Sequence, residues 1–460
     1  MAHLLVSAAH KSSGKTTVTI GLCAALDRLG HTVQPFKKGP DYIDPMWLGA
    51  AAGRPCHNLD FYTMERDEIR ETFGCAMKGA DVGVIEGNKG LYDGLDLDGT
   101  NSNAALAHLL EAPVVLVLDS QGMTRGVAPL ILGYQAFDQE IRIAGVILNK
   151  VGGSRHESKL RAIIEHFTDV PVLGAVYRDD DLAIEERHLG LVPSNESTEV
   201  MERIAHIANS IADQVDLHRI LELAGRAPAL PCSSFPPPTI VEGPQVRIGI
   251  ARDSSFGFYY PGDLEALERA GAELVFFNTM TDRQLPAVDG LFFGGGFPET
   301  HMSRLAANAE LRASIRQTLE EGLPAYAECG GLMYLSRSIH WQERSAEMVG
   351  FIPADAVMHH RPQGRGYIRL RETGQGLWPL EPAGGASIRG HEFHYSSLEG
   401  LDPDLRYAYQ VERGTGIDGR RDGIVLRNTQ ANYAHLRDVG SNHWTTRFVD
   451  FVRRIRTERH

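Results

Sequence analysis

The stretch RAPALPCSSFPPPTIVEGPQ, residues 226–245, breaks every periodic pattern in the chain and leaves a block of similar texture on either side. Pro, Ser and Gly dominate it, which predicts a linker. Upstream, the apolar runs HLLVSAA, DVGVIEG, PVVLVLDS, IAGVILNK and VPVLGAV alternate with amphipathic stretches. Continuous apolar strands separated by helices predict a buried parallel sheet. Downstream the alternation restarts with VRIGIA, a helix over PGDLEALERAGA ending on Gly271, then ELVFF, DGLFFGGG and LPAYAECGG. A second α/β domain follows. At 460 residues the chain exceeds one compact core. The expected domains are 1–225 and 246–460, joined by 226–245.

Hydrophobic residues make up 43% and charged residues 23%, the balance of a globular protein. The formal charge of −13 disfavours nucleic acid and anionic membrane surfaces as partners. Cys23, Cys56, Cys75, Cys232 and Cys329 are odd in number and form no CxxC pair, so neither a disulfide framework nor a zinc knuckle is expected. The compartment reads as reducing cytoplasm. MAHLLVSAAHK is too short to span a membrane and runs into a phosphate-binding motif, so no targeting segment is expected.

In LVSAAHKSSGKTTVTIGLCAALDRLG a strand runs through a loop into a helix of about fourteen residues, with Gly14, Lys15, Thr16 and Thr17 at the turn. Backbone N–H groups at a helix start, a lysine and a hydroxyl are what a nucleotide's phosphates and Mg²⁺ require. Ala9 stands where the usual pattern has its first glycine. Lys11 resembles the extra signature lysine of partition-type ATPases but lies one place late, so it stands as a phosphate contact without a firm role.

Glu86 and Asp119 each end an apolar strand. Acids at the C-terminal edge of a parallel sheet point into the ligand crevice and can hold Mg²⁺ directly or through water. The EGNKGLYDG loop favours that role for Glu86, while Asp119 serves equally well as a helix cap. GPDYIDP, residues 39–45, carries Asp41 and Asp44, which on their own read as turn formers.

LPAYAECGGLMYL places Cys329 between a strand and a helix start, followed by Gly330 and Gly331. Small residues allow the tight turn that presents a nucleophile, and the helix N-terminus favours thiolate. His435 in ANYAHLRD is the expected base; His391 and His394 of RGHEFHYSS compete, but the run lacks the HExxH spacing of a zinc site and reads as structural or substrate-facing. FGGGFPE, residues 293–299, offers N–H groups of Gly295 and Gly296 for an oxyanion hole, or is a plain turn.

Together, GPDYIDP, the Glu86–Asp93 loop, VVLVLD, ARDSSFGFYYPGDLEALE, GGGFPE, YAECGGLMYL, GHEFHYS and the late AHL closely resemble the cobyrinic acid a,c-diamide synthase family. The resemblance implies a P-loop, dethiobiotin-synthetase-like ATP domain followed by a class I glutamine amidotransferase domain. It implies ATP and Mg²⁺ as cofactors, and glutamine and a tetrapyrrole carboxylic acid as substrates. By the same carry-over, Gly14, Lys15, Thr16 and Thr17 bind ATP, and Thr16, Asp41 and Glu86 serve Mg²⁺ or the reacting carboxylate. Asp44 and Asp93 activate substrate, Tyr42, Asn88 and Lys89 contact it, and Cys329 and His435 carry the glutaminase chemistry.

Two departures stand out. Arg437 occupies the place two residues after the histidine where many class I amidotransferases have an acid, so the dyad lacks its third member. Asn88 and Lys89 replace a usual hydrophobic pair, and with HKSSGKTT they resemble the siroheme amidase branch, which is the substrate expectation here. Cobyrinic acid is the alternative substrate, and Lys89 is otherwise a solvated loop lysine. A partition-type ATPase module and a non-catalytic glutamine sensor are the remaining readings, and a homodimer is an open expectation.

Overall fold

Seven parallel strands form the sheet of the first unit: β1 (Ala2–Ala8), β2 (Val33–Lys38), β3 (His57–Leu59), β4 (Val82–Glu86), β5 (Val114–Asp119), β6 (Ile143–Val151) and β7 (Val172–Tyr177). In the computed structural model, which describes residues 1–182, 184, 186–187, 190–196, 199–230, 245–378, 387–440 and 442–459, they lie in the order β3-β2-β4-β1-β5-β6-β7. Every pairing is parallel. β1 is flanked by β4 and β5, so the chain reverses its direction of travel across the sheet there. A crevice opens beyond the strand ends at such a point, which is where open α/β sheets take ligands. The loop after β1 and the acids ending β4 and β5 therefore share one edge.

The five apolar runs read from the sequence are β1, β4, β5, β6 and β7. β2 and β3 escape that reading. β2 is VQPFKK and is buried at all six positions, although only two of its side chains are aliphatic or aromatic. Pro35 is tolerated because pairing with β3 begins only at Phe36, leaving the side without a donor unpaired.

The chain divides into two compact units, Met1–Phe235 and Pro236–His460. Residues 231–244, most of the expected linker together with Cys232, lie outside the described residues. The second unit carries a nine-stranded sheet. Ala272–Phe277, Val246–Ala251, Gly290–Phe293, Ala325–Glu328 and Thr429–Asn432 run parallel. Arg421–Leu426, Arg406–Arg413, Gly364–Glu372 and Ile388–His394 extend the sheet antiparallel. A separate four-stranded sheet lies within the same unit.

Alternation along the strand Ala325–Glu328 divides two cores. Ala325 and Ala327 join Phe293, Leu332 and Ile339, whereas Tyr326 packs with Trp444 and Phe448. The helix predicted at PGDLEALERAGA runs Pro261–Arg269, and Gly271 follows at φ 92°. Among the described residues no helix is long and apolar enough to cross a membrane.

Candidate active sites

Helix α1 (Lys15–Arg28) starts at Gly14, whose φ of 82° lies in the left-handed region. A Cβ there would stand 2.0 Å from Asn149 Nδ2, and that amide donates to Ser13 O at 2.8 Å. The loop is thus closed by a side chain from the end of β6, and Gly14 satisfies both its φ and its space. Lys150 reinforces the closure. Its Nζ donates to Ser12 O (3.0 Å) and to Asp119 Oδ2 (2.7 Å), while Asp119 Oδ1 accepts from Gln121 N–H. Asp119 is therefore a turn former and ion-pair partner. Ala9, in the place of the usual first glycine, accepts from Tyr134 Oη–H through its carbonyl at 2.6 Å.

Lys15 and Thr16 open α1 facing a carboxylate cluster. Thr16 Oγ1 donates to Glu86 Oε1 at 2.6 Å and lies 3.4 Å from Asp44 Oδ2. Lys37 sits among the acids, with its Nζ 3.1 Å from Glu86, 3.8 Å from Asp41 and paired with Asp44. Glu86 is wholly buried, and its Oε2 has no hydrogen-bond partner. Burial, opposed by Lys37, leaves the Glu86 carboxyl above its ordinary range. Burial also pushes up Asp41, with Asp44 beside it, to about 7, while the Lys37 ammonium holds Asp44 low. Desolvation lowers the Lys15 ammonium, and Glu86 partly offsets it.

Mg²⁺ fits this set. Oxygen donors converge on the start of α1, and Glu86 keeps one buried carboxylate oxygen orphaned while the other accepts from the threonine hydroxyl, which suits a hard cation. Among the described residues no group of three or more His, Cys, Asp or Glu holds a metal alone. A metal there would take its remaining ligands from phosphate and water, the usual habit of Mg²⁺.

The expected residues do not all converge. Lys11 is exposed on the loop, and Thr17 is half-buried on α1 without a role in the cluster. Asp93 is exposed, and its Oδ2 accepts from Gly90 N–H at 2.9 Å in a turn of its own loop. Tyr42 is buried directly ahead of helix α2 (Ile43–Ala52), whose first turn is tied by Asp41 Oδ1 accepting from Ile43 N–H and Asp44 N–H. Asn88 is half-buried and receives Lys38 Nζ at 3.1 Å, while Lys89 is exposed at φ 42°.

Sequence reading passes over Lys37, Lys38 and Asn103. Asn103, fully buried, ties down the Glu86–Asp93 loop: Nδ2 donates to Asn88 O, Gly90 O and Ser7 Oγ, and Oδ1 accepts from Asn88 N–H.

In the second unit Cys329 sits at φ 45°, ψ −98°, between its strand and the short helix Gly330–Leu335. A non-glycine residue in that region is strained, as a nucleophile presented on a tight turn is. Cys329 N–H is fixed to Asn432 O at 2.8 Å and Gly331 N–H to Gly294 O at 3.1 Å. Burial, then the Glu299 and Glu328 carboxylates, push the Cys329 thiol up, against the helix N-terminus behind it that favours the thiolate.

His435 is buried, and its Nδ1 lies 3.2 Å from Glu328 Oε2. Glu328 Oε1 accepts from Leu436 N–H (3.0 Å) and Tyr326 Oη–H (3.0 Å). Glu328, the residue before Cys329, thus gives His435 the carboxylate partner that Arg437 does not. Arg437 instead lies over the Tyr260 ring at 4.6 Å. His391 stacks on His435 with centroids 4.8 Å apart and hydrogen-bonds Tyr260 Oη through Nδ1. His394 stacks on Tyr433. His391 thus packs against His435, and His394 against Tyr433.

Gly295 and Gly296 abut these groups. A Cβ on Gly295 would stand 2.6 Å from His435 Cε1, and one on Gly330 would stand 3.0 Å from Gly296 N. Gly296 has φ 154°, and a Cβ on it would strike Ser255 O at 1.9 Å.

Residues 5–192 match the CobQ/CobB/MinD/ParA nucleotide binding domain, and residues 247–441 match the CobB/CobQ-like glutamine amidotransferase domain. A cobyrinate a,c-diamide synthase of Magnetococcus marinus is 46% identical over 98% of this chain and 97% of its own. The chain belongs to the cobyrinate a,c-diamide synthase family. Enzymes of that name from Archaeoglobus fulgidus and Methanosarcina acetivorans are 42% and 40% identical, over 97% and 99% of this chain and 96% of each relative. Family membership makes the chain a glutamine-dependent ligase with a nucleotide-binding and an amidotransferase domain. The nucleotide-binding match also covers MinD and ParA, so it is the glutamine amidotransferase domain that sets the chain apart from a partition-type ATPase.

Proposed function

We propose that the enzyme uses ATP·Mg²⁺ and glutamine to amidate peripheral carboxylates of a cyclic tetrapyrrole, with cobyrinic acid as the first reading of the substrate. The full-length similarity to cobyrinate a,c-diamide synthases supports the substrate class. The observation that carries the chemistry is the coexistence of a phosphate loop facing buried acids with a strained cysteine directly following Glu328, which pairs with His435.

A carboxylate resists attack by ammonia until its oxygen becomes a leaving group, so the first unit phosphorylates it. Lys15 neutralises the transferred phosphate, Lys37 holds Asp44 and Glu86 in place, and Glu86 with Thr16 would hold the metal. Mg²⁺ bound there supplies charge neutralisation on the phosphates. In the second unit the Cys329 thiol gives its proton to His435 as sulfur attacks the glutamine carboxamide. The same proton leaves with ammonia, and the resulting thioester is hydrolysed. Glu328 accepts from His435 Nδ1–H, which leaves Nε2 as the basic nitrogen, and Gly296 N–H stands beside the developing oxyanion. Ammonia displaces phosphate from the acyl phosphate.

A siroheme-type substrate is the second reading. Asn88 and Lys89, standing where the family has a hydrophobic pair, favour it through their resemblance to the siroheme amidase branch. Incubation with ATP·Mg²⁺, glutamine and either cobyrinic acid or siroheme, with product mass as readout, tests both. Exchange of one or two oxygens for NH is the expected product. ADP release without amide would refute the function.

A further inference from the structure

Lys38 ends β2 next to Lys37, and the two diverge because successive strand residues face opposite sides. Lys37 meets three carboxylates. Lys38 is 7% exposed, yet its Nζ has one hydrogen bond, to the neutral Asn88 Oδ1 at 3.1 Å, and no carboxylate within ion-pair distance among the described residues. An ammonium carries three donors, and a buried charge is ordinarily paired.

The anion that acts on it does so from beyond ion-pair distance. Asp60 is the nearest acidic influence, but Asp60 Oδ1 accepts from Tyr62 N–H and Asp60 Oδ2 from Thr63 Oγ1–H. Burial depresses the Lys38 ammonium to about 8, opposed by Asp60 and reinforced by Lys37 and Lys89. Lys89 thus adds a second positive charge. Its φ of 42° is costly for a lysine, by about 1 kcal/mol or more, and strain of this kind persists where the surrounding loop enforces it. Gly39 at φ 85° leaves room for the Asn88 amide, since a Cβ would stand 3.2 Å from Asn88 Nδ2.

We propose that Lys38, steadied by Asn88 and joined by Lys89, is a subsite for a second carboxylate of the substrate, distinct from the one activated beside Lys37 and Glu86. The inference rests on the tetrapyrrole reading, since it needs a substrate carrying several carboxylates. It identifies Lys38 as a specificity residue. Such a site favours substrates that present two carboxylates on neighbouring side chains and disfavours those in which the second is already an amide or ester.

The test is ammonium-driven amidation by the full chain and its Lys38→Met and Lys38→Arg variants, with cobyrinic acid and with siroheme. KM, kcat and ATP·Mg²⁺ affinity are measured separately. Lys38→Met is expected to raise KM for whichever tetrapyrrole the wild type uses by about 10- to 100-fold, the change that losing a charge-assisted hydrogen bond carries. Lys38→Arg should recover part of it. ATP affinity should hold, and the Tm of ligand-free Lys38→Met should equal or exceed that of the wild type, because an unpaired buried cation has been removed. A merely structural strap predicts the reverse: a lower Tm, with kcat and ATP affinity falling together and KM unchanged, and that pattern overturns the subsite. If the wild type amidates neither tetrapyrrole, the functional reading fails on its own. The subsite is then judged by tetrapyrrole absorbance titration, where equal affinities in wild type and Lys38→Met overturn it and weaker binding by the variant upholds it.

Discussion

Cys329 and Glu328 are adjacent in sequence but face different partners, and this gives them separable phenotypes. Cys329→Ser should abolish glutamine-driven amidation and spare the reaction with added ammonium, because the serine hydroxyl is far less nucleophilic on the same turn. Glu328→Gln should reduce the glutamine-driven kcat by about 100-fold or more, because the imidazole loses the acceptor that selects its tautomer. Ammonium-driven turnover should again be untouched. A Glu328→Gln enzyme with wild-type glutaminase activity would remove this residue from the mechanism. Lys15→Ala and Glu86→Gln act upstream of ammonia, so neither nitrogen source should rescue them. Ammonium-driven product at more than a few per cent of the wild-type rate in either variant would contradict the assignment of the phosphate site. The Cys329 thiol, held high by burial and neighbouring carboxylates, should resist iodoacetamide at neutral pH. Its alkylation rate should climb as pH rises through and above the ordinary thiol range, since thiolate appears only there.

At the scale of elements, the turn Phe293–Gly296 and the elbow at Cys329 pack backbone to backbone. A Cβ on Gly331 would meet Phe293 O at 2.4 Å, and backbone cannot yield as a flexible side chain does. Gly331→Ala should lower stability by about 1–3 kcal/mol and reduce glutaminase activity, measured as denaturant midpoint and glutamate release. Unchanged values in both would mean the elbow can shift freely. The elements legible in advance are those with one dominant demand. β1, β4, β5, β6 and β7 are apolar because both faces are buried, and the Gly14–Thr17 and Cys329–Gly331 turns read clearly because glycine next to a reactive residue is distinctive. β2 was hidden because Gln34, Lys37 and Lys38 are buried within it, so its polar residues contradict the pattern that marks a buried strand. Glu328 was hidden for another reason: the acid was sought after the histidine, while strand alternation delivers it from before the cysteine. Asn103 carried no signal, since one asparagine at a helix start reads as a cap, and its bonds to Asn88 and Gly90 exist only once the loop is folded.

Across the whole molecule, two units with separate cores and separate ligands should respond to those ligands separately. ATP·Mg²⁺ at 100 times its Kd should stabilise the unit it binds by about 2.7 kcal/mol, with hydrogen-exchange protection confined to Met1–Phe235. A glutamine analogue that alkylates Cys329 should protect segments of Pro236–His460, including Ala325–Glu328 and the backbone around His435. Protection by ATP that mapped to the second unit alone would contradict the assignment of nucleotide to the first. The pairing of Ala325–Glu328 with Thr429–Asn432 has a consequence for how the glutaminase groups come together. Glu328 lies opposite Asn432 in the ladder, and His435 follows three residues later. Two of the three groups are joined by a peptide bond, and the third is delivered by a strand pairing that the sheet makes in any case. A single long-range closure, spanning 107 residues from Glu328 to His435, therefore brings the proposed triad together. Its conformational entropy falls on the folding of the sheet and not on the binding of glutamine, so the site stands ready before its substrate arrives.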